Sequence, residues 1–459
     1  MGRVNQIESR RSRWKAILQI AWPLIIANSF WNLQLTIDRV FLGNYSTDAL
    51  GAAIAVMGVF WTPMALLQQT ASYVTTFVAQ YFGAKRESEI GPAVWQSIYL
   101  SVIGGLLFLL FIPFTGIFFG WVGHTPSLQV LEVEYFNALC YSALPAALVA
   151  AASGFFTGLG QTKTIMWINF VGLVANAMLD YVFIFGNWGI PAMGIAGAGY
   201  ATALANWASA IYGLYLVFKS ENELSYRIRS AWQFQFGMMK RFLRYGLPSG
   251  LQWALEGLAF TVFLIFVGRM ANGNAALASS GIAVTVMMLS VLPALGLAQA
   301  VMVLVGQNLG EKKPEEAAAW TWSGVQVAAM YIIGIGLTFI AFPNFYLSWF
   351  ENSSDPLLWA QVKTIVPYLL MYVALFTSFD SMNLVFSFAL KGAGDTRFVT
   401  AVALIVPWPL MVLPTWILKD AEGAVYWAWG AASLYGITQA LIFWRRFVGG
   451  KWKTMSVIH

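Results

Sequence analysis

The hexapeptide GLGQTK at Gly158-Leu159-Gly160-Gln161-Thr162-Lys163 returns as GAGDTR at Gly392-Ala393-Gly394-Asp395-Thr396-Arg397. At both places a long apolar stretch closes on the glycines and another opens at the threonine. A second pair follows the same order: Gln80-Tyr81-Phe82-Gly83-Ala84-Lys85-Arg86, and Gln307-Asn308-Leu309-Gly310-Glu311-Lys312-Lys313. The two offsets nearly agree. One match alone is weak, but two at equivalent loops divide the chain into halves of common design.

Outward from these loops the sequence is apolar. Of 459 residues, 59% are hydrophobic and only 10% charged, with a mean hydropathy of +0.67, which sets the chain apart from ordinary soluble domains. Windows near the roughly 20 residues a helix needs to cross a bilayer recur throughout. A β-barrel would show short alternating segments instead. Breaks at Gly, Pro and charge predict about twelve spans, near 17–41, 51–80, 92–113, 132–157, 164–186, 192–218, 243–267, 277–306, 317–342, 357–390, 398–418 and 423–447. The first follows Arg10, Arg11, Arg13 and Lys15, yet it is too long for a signal peptide and lacks a small-residue cleavage site, so it reads as a retained span.

The expected fold is therefore an all-α polytopic membrane protein, twelve helices in two six-helix lobes related by a pseudo-two-fold axis along the membrane normal. Its parts are an amino-terminal segment 1–16, lobes at 17–218 and 243–447, a basic linker 219–242 and a tail 448–459. An even number of spans puts both termini on one side. Of the 26 Lys and Arg residues, only Arg39, Arg269, Lys363 and Lys419 fall on the opposite face, so the positive-inside rule makes both termini cytoplasmic and the location a plasma or inner membrane. Basic loops that fix topology and touch anionic lipid account for the pI of 9.2 without nucleic acid. The single cysteine, Cys140, excludes an intrachain disulfide, and the two histidines, His124 and His459, fall in a loop and at the end of the chain. No cofactor is called for.

Of the twenty acidic residues, sixteen fall in loops or near span ends and four do not: Asp38, Asp180, Glu256 and Asp380. A charge at the bilayer centre costs about 2.5–3.5 kcal/mol even on the lenient insertion scale, so each must face the protein interior or water. Gln34 stands one turn before Asp38, and Asn176 one turn before Asp180, so each pair shares a helix face. Thr202 on the sixth span lies at a comparable depth. Such oxygens suit a hard cation such as Na⁺, or a held proton. Glu256, preceded by Gln252, and Asp380, flanked by Ser381 and Asn383, give the second half its own acidic pair. Arg39 beside Asp38 offers a structural ion pair as the competing reading, although adjacent helical residues point about 100° apart. Gln68, Gln69, Ser72 and Thr76 on the second span, Gln252 on the seventh, Gln299 on the eighth and Phe376 on the tenth are expected to line the interior cavity. Most of the 21 Trp, 34 Phe and 17 Met serve interfaces and packing. Gly194, Gly197 and Gly199 read as close helix packing rather than a nucleotide loop.

The LDYVFIFG segment with Asn176 before it, the first-span TIDRVFLGNYSTDALGAA and the paired glycine loops together resemble the multidrug and toxic compound extrusion (MATE) transporters across essentially the whole chain. The resemblance implies two lobes in a V around a central cavity. It also implies export of organic cations against an inward flow of Na⁺ or H⁺, by a transporter rather than an enzyme. Asp38, Asn176, Asp180 and Thr202 fall where the family's amino-lobe cation site would be, with Gln34 beside them. Glu256 and Asp380 match the carboxy-lobe acids of the NorM-like branch. Where that branch can carry a tyrosine one turn before the tenth-span Asp, this chain has Phe376. No dimerisation signal stands out, so a monomer is expected.

Three other readings compete. A flippase for lipid-linked sugars should present cationic side chains to pyrophosphate, whereas the charges placed at mid-membrane depth here are all acidic. An intramembrane aspartyl protease would use the Gly-x-Gly-Asp at Gly392 to Asp395, but Lys391 and Arg397 place that tetrad in a cytoplasmic loop, where glycines ending one helix and Asp or Thr starting the next explain it. A channel is disfavoured because paired lobes suit alternating access.

Overall fold

Backbone polar groups in lipid find partners only within helices or closed barrels, and in the computed structural model every regular element among the described residues is helical. These residues are 10–351 and 356–459; residues 1–9 of the expected amino-terminal segment and 352–355 lie outside them. In chain order the α-helices are α1 Arg10–Tyr45, α2 Thr47–Ser72, α3 Val74–Gly83, α4 Ile90–Leu109, α5 Thr115–Val122, α6 Pro126–Cys140, α7 Ala143–Gly158, α8 Thr162–Phe185 and α9 Gly194–Val217. There follow α10 Ser220–Tyr226, α11 Phe236–Gly268, α12 Gly273–Gly310, α13 Pro314–Ala341, α14 Pro343–Ser348, α15 Pro356–Ala393, α16 Thr396–Ile405, α17 Leu413–Ile417 and α18 Ala424–Val448.

Nine helical stretches among the described residues are long and apolar enough to cross a membrane, or eleven if the bent pairs α6–α7 (42°) and α9–α10 (57°) each count as one. The twelfth expected span, 423–447, is α18, a 25-residue helix whose Trp, Tyr, Gly and Gln content and terminal Arg445-Arg446 lower its hydropathy. Prolines interrupt α1 at Pro23, α2 at Pro63, α11 at Pro248, α12 at Pro293 and α15 at Pro367. Pro23 and Pro63 recur in the second half as Pro248 and Pro293, so the repeat extends to the points where the helices lose a backbone hydrogen bond and bend.

Two compact units result. One comprises Ile26–Ala254 with Leu309–Lys312 and Ser456–His459; the other comprises residues up to Ile25, Leu255–Asn308 and Lys313–Met455. The division falls inside α1 and α11, shortly after Pro23 and Pro248, and not in the linker, so packing and span order partition the chain differently. In the first unit α8 lies along α9, and α7 packs on α4 and α9. Its core gathers Leu42, Val56, Phe60, Phe136, Leu139 and Ile184. In the second, α15 packs against α13 and α18, around Phe263, Val286, Phe339, Leu370 and Trp429. The linker carries Glu223, where hydrogen bonds from the Ser230 side chain and from the backbone amides of Arg229 and Ser230 hold the carboxyl below the usual carboxylate range.

Small residues set the close approaches. A Cβ added at Gly105 of α4 would lie 2.3 Å from Leu144 Cα and 2.8 Å from Leu144 N on α7. Backbone cannot move aside as a flexible side chain can. Gly105→Ala is expected to destabilise the protein by about 1–3 kcal/mol, the usual cost of overpacking, read as a lower melting temperature of the detergent-purified protein. An unchanged melting temperature would show that α4 and α7 approach less closely than this.

Candidate functional site

The glycines also place the site. At the start of α8 the chain turns at Gly160 (φ 75°), and at its end at Gly186 (φ 77°). Between them the helix is unbroken, so Asn176 and Asp180 share one face. A Cβ at Gly172 would sit 2.4 Å from Ser209 Oγ, and one at Gly197 would sit 2.7 Å from Phe183 O. These contacts draw α9 against α8 and bring Thr202 to Asn176, as the close-packing reading of the glycine run expects.

Within the first unit, Asp38 on α1 meets the α8 pair. Asp38 is 5% exposed, and Asn176 and Asp180 are fully buried. The Asn176 amide, turned with Nδ2 toward the acids, donates to Asp38 Oδ1 at 2.8 Å and to Asp180 Oδ2 at 3.2 Å. Its other end faces the Thr202 hydroxyl at 3.5 Å. The two carboxyl groups lie within hydrogen-bonding reach of each other, and Asp180 Oδ1 is buried with no partner among the described residues. The Tyr135 ring on α6 is buried beside both acids. Arg39 is exposed while Asp38 is buried, so the adjacent charges leave the helix on different sides.

A cavity of about 120 Å³ opens against this cluster, lined by Gln34, Asp38, Trp61, Gln68, Tyr135 and Thr202 among others. No basic residue lines it among the described residues. Of the other side chains expected to meet water, Ser72 bonds back to Gln69 O at 3.1 Å, and Thr76 is fully buried in packing. Gln252 is buried and Gln299 half-buried.

The second unit builds its cluster from three helices. Glu256 lies on α11, Asp380 and Asn383 on α15, and Gln439 on α18. Gln439 donates Nε2 to Glu256 Oε1 at 3.0 Å. Asn383 donates Nδ2 to Asp380 Oδ1 at 2.9 Å and to Gln439 Oε1 at 3.2 Å. Phe376, one turn before Asp380, packs on Gly436, where a Cβ would be 2.8 Å from its ring. The hydroxyl beside these acids belongs to Tyr435 on α18, one turn before Gln439.

Two expectations from sequence require correction. Lys391 is not in a loop: it occupies the last turn of α15, is 2% exposed, holds its ammonium 3.7 Å from the centre of the Phe388 ring and feels the charge of Glu256. The charges inside the helices are thus not all acidic. Asp395 precedes α16 but makes no capping hydrogen bond; its carboxylate takes Arg446 of α18, Oδ2 from Nε at 2.7 Å and Oδ1 from Nη2 at 3.2 Å. Glu132 on α6 is also fully buried, 2.6 Å from His124 Nδ1. Tyr135, Lys391, Tyr435 and Gln439 were the polar residues missed.

Comparison with known proteins follows the same two halves. The MatE family model matches residues 23–182 and again 248–417, each copy starting at one of the repeated prolines. The chain belongs to the MatE family. Among curated MatE-like relatives, the probable multidrug resistance protein NorM of Shewanella oneidensis is 29% identical over 86% of this chain and 84% of its own length. That of Thermotoga maritima is 25% identical over 97% and 94%. The outward-facing structure of a multidrug resistance MATE family transporter of the MOP superfamily superposes with a TM-score of 0.87 over 96% of this chain and 97% of its own, at 21% identity. The crystal structure of MATE in the straight conformation gives a TM-score of 0.86 over the same shares of the two chains, 96% and 97%, at 20% identity.

Proposed function

We propose that this MatE protein is a secondary active multidrug exporter, carrying organic cations or amphipathic drugs out of the cell against an inward flow of Na⁺ or H⁺. The carrying observation is one amide, Asn176, holding two buried carboxyl groups at the edge of a cavity that, among the described residues, has no lysine or arginine in its lining. In the present arrangement the amide N–H groups reach one oxygen of each acid, and Asp180 Oδ1 stays without a partner among the described residues. Two carboxyl groups so placed hold one cation between them, a proton or a Na⁺ ion, and the amide then turns its oxygen to a metal ion. Asp38, Asp180, Asn176 and Thr202 carry this role, with Gln34 at the cavity wall; Glu256 and Asp380 form the second cation site.

Cargo and fuel ion compete for the same negative charge. A ligand shifts a conformational equilibrium only through different affinity for its two states, and the acids supply that difference by their change in charge. Alternating access of lobes 17–218 and 243–447 then converts the ion gradient into export. The acidic, lysine-free cavity favours cationic cargo over the anionic lipid of a flippase. The protein acts as a monomer in the plasma or inner membrane with cytoplasmic termini, in contact with lipid and without nucleic acid or cofactor.

Proteoliposomes loaded with a fluorescent cationic drug, given a Na⁺ gradient and a pH gradient separately, test this. One of the two gradients is expected to drive efflux and dissipate with it. Drug flux indifferent to both would refute antiport.

A further inference from the structure

The basic linker does not hang free between α10 and α11: it is fastened along one stripe of α4. Gly91, Trp95 and Tyr99 stand one turn apart and share a face of that helix. A Cβ at Gly91 would lie 2.6 Å from the carbonyl oxygens of both Tyr226 and Arg227. One turn on, Trp95 donates Nε1 to Ile228 O at 2.6 Å, and one turn further the Tyr99 hydroxyl donates to Trp232 O. The Phe234 ring then meets Tyr99 edge-on, 5.7 Å between ring centres. Residues 226–234 therefore follow α4 for about 12 Å, the rise of the helix from Gly91 to Tyr99. A headgroup layer is roughly 5–8 Å deep. A segment that starts beside the charged turn Glu87–Glu89 ahead of α4 and ends at Tyr99 crosses it.

Two kinds of side chain are presented along this path. At its start Arg227 and Arg229 are exposed, with Lys219 before them and Lys240 after. Arg229 donates Nε to Phe218 O at 2.8 Å, which fixes its guanidinium while the side chain stays exposed. The acids of the linker are Glu221 and Glu223, and the backbone amides of Arg229 and Ser230 already engage Glu223, so cationic charge prevails. At the far end Trp232, Phe234 and Phe236 keep 59%, 52% and 75% of their surface uncovered. Guanidinium groups at phosphate depth, followed by open ring faces where hydrocarbon begins, reproduce the order of charge and grease in one lipid molecule.

We propose that residues 226–236, clipped to α4, form a binding site for an anionic phospholipid of the leaflet on the linker's side, its headgroup taken by Arg227 and Arg229 and its acyl chains lying on Trp232, Phe234 and Phe236. A zwitterionic lipid offers the same phosphate without the net charge, so the four exposed cations discriminate against it. A free phosphate offers the charge but covers none of the rings. The site belongs to neither cation cluster, so its lipid preference does not depend on what the protein exports.

The test is native mass spectrometry of the purified full-length protein, titrated separately with phosphatidylglycerol and with phosphatidylcholine. The wild type is expected to hold phosphatidylglycerol more tightly. Arg227→Gln and Arg229→Gln should each weaken its tightest binding about 5-fold, the worth of one basic side chain at an anionic surface, and the double variant should lose most of the preference. Arg397→Gln, which removes an exposed cation outside the linker, should leave the preference unchanged. A wild type indifferent to lipid charge, or a double variant that prefers phosphatidylglycerol as strongly as the wild type, would overturn the site. Displacement of the lipid by an equal concentration of inorganic phosphate would overturn it too, by making it a site for a soluble anion. Depth is read independently: a nitroxide attached at Phe234→Cys in the Cys140→Ala protein, in phosphatidylglycerol vesicles, is expected to collide with oxygen more than with a water-soluble nickel chelate. The reverse order would put the segment in water and remove the lipid.

Discussion

Asp180→Asn is expected to lower gradient-driven drug efflux about 100-fold while leaving folded protein in place, and Asp38→Asn is expected to do the same. The scale follows from what such a coupling is worth, about 1–3 kcal/mol or 5- to 150-fold between two sites. Asparagine is nearly the same size as aspartate, so packing survives; the charge that makes ion and cargo exclusive does not. The carboxamide oxygen of either new asparagine still accepts from the Asn176 N–H, as Asp38 Oδ1 does at 2.8 Å and Asp180 Oδ2 at 3.2 Å, so the α1–α8 contact in this unit persists. Arg39→Gln serves as the control, because its exposed side chain leaves the helix away from the site. Efflux from proteoliposomes under each imposed gradient gives the measurement, with size-exclusion behaviour as the check on folding. Wild-type efflux by both variants would remove the two acids from the mechanism.

What could be read from sequence was whatever a single helix or a repeated loop decides. Asn176 and Asp180 sit at i and i+4, so their shared face follows from helix geometry alone. Gly160 and Gly394 terminate helices with φ of 75° and 100°, a conformation that glycine adopts without strain. Contacts set by side-chain reach and by third helices were hidden. Lys391 is adjacent to a glycine turn and looked solvated, but a four-carbon stem lets its ammonium run back along α15 to the Phe388 ring. Gln439 has Tyr435 one turn before it on α18, but the partners that fix its role come from α11 and α15, which its own helix does not show. Glu132, near the start of a predicted span, looked like an end residue because the span's true start, at Pro126 after the α5 hairpin, was not visible in the hydropathy. The division of α1 and α11 between compact units is likewise a matter of packing, and periodicity along one helix carries no trace of it.

The pair that closes the GAGD loop yields the second large effect. Arg446→Ala is expected to destabilise the protein by about 3 kcal/mol, at the lower end of the 3–5 kcal/mol for breaking a buried ion pair, because the Arg446 side chain keeps 22% of its exposure while that of Asp395 keeps 6%. The loss is larger than that of a surface pair for two reasons. Asp395 would remain as a buried carboxylate stripped of both charge-assisted hydrogen bonds, at 2.7 and 3.2 Å. The guanidinium also lies 4.5 Å from the centre of the Phe398 ring, and truncation removes that contact as well. Asp395→Asn should be milder, since an amide oxygen still accepts from Arg446. The first half of the chain shows that the turn itself needs no charge: Gln161 stands where Asp395 does, and Gly160 adopts the same left-handed backbone. Replacing both partners with apolar residues, Asp395→Leu with Arg446→Met, is therefore expected to restore most of the stability, since neither charge is then left unpaired. Thermal unfolding of the detergent-purified variants separates the cases. An Arg446→Ala protein as stable as the wild type would mean that Asp395 is solvated. Peptide-bond cleavage that vanishes in Asp395→Asn without any change in stability would make the aspartate a catalytic acid and not an anchor for α18.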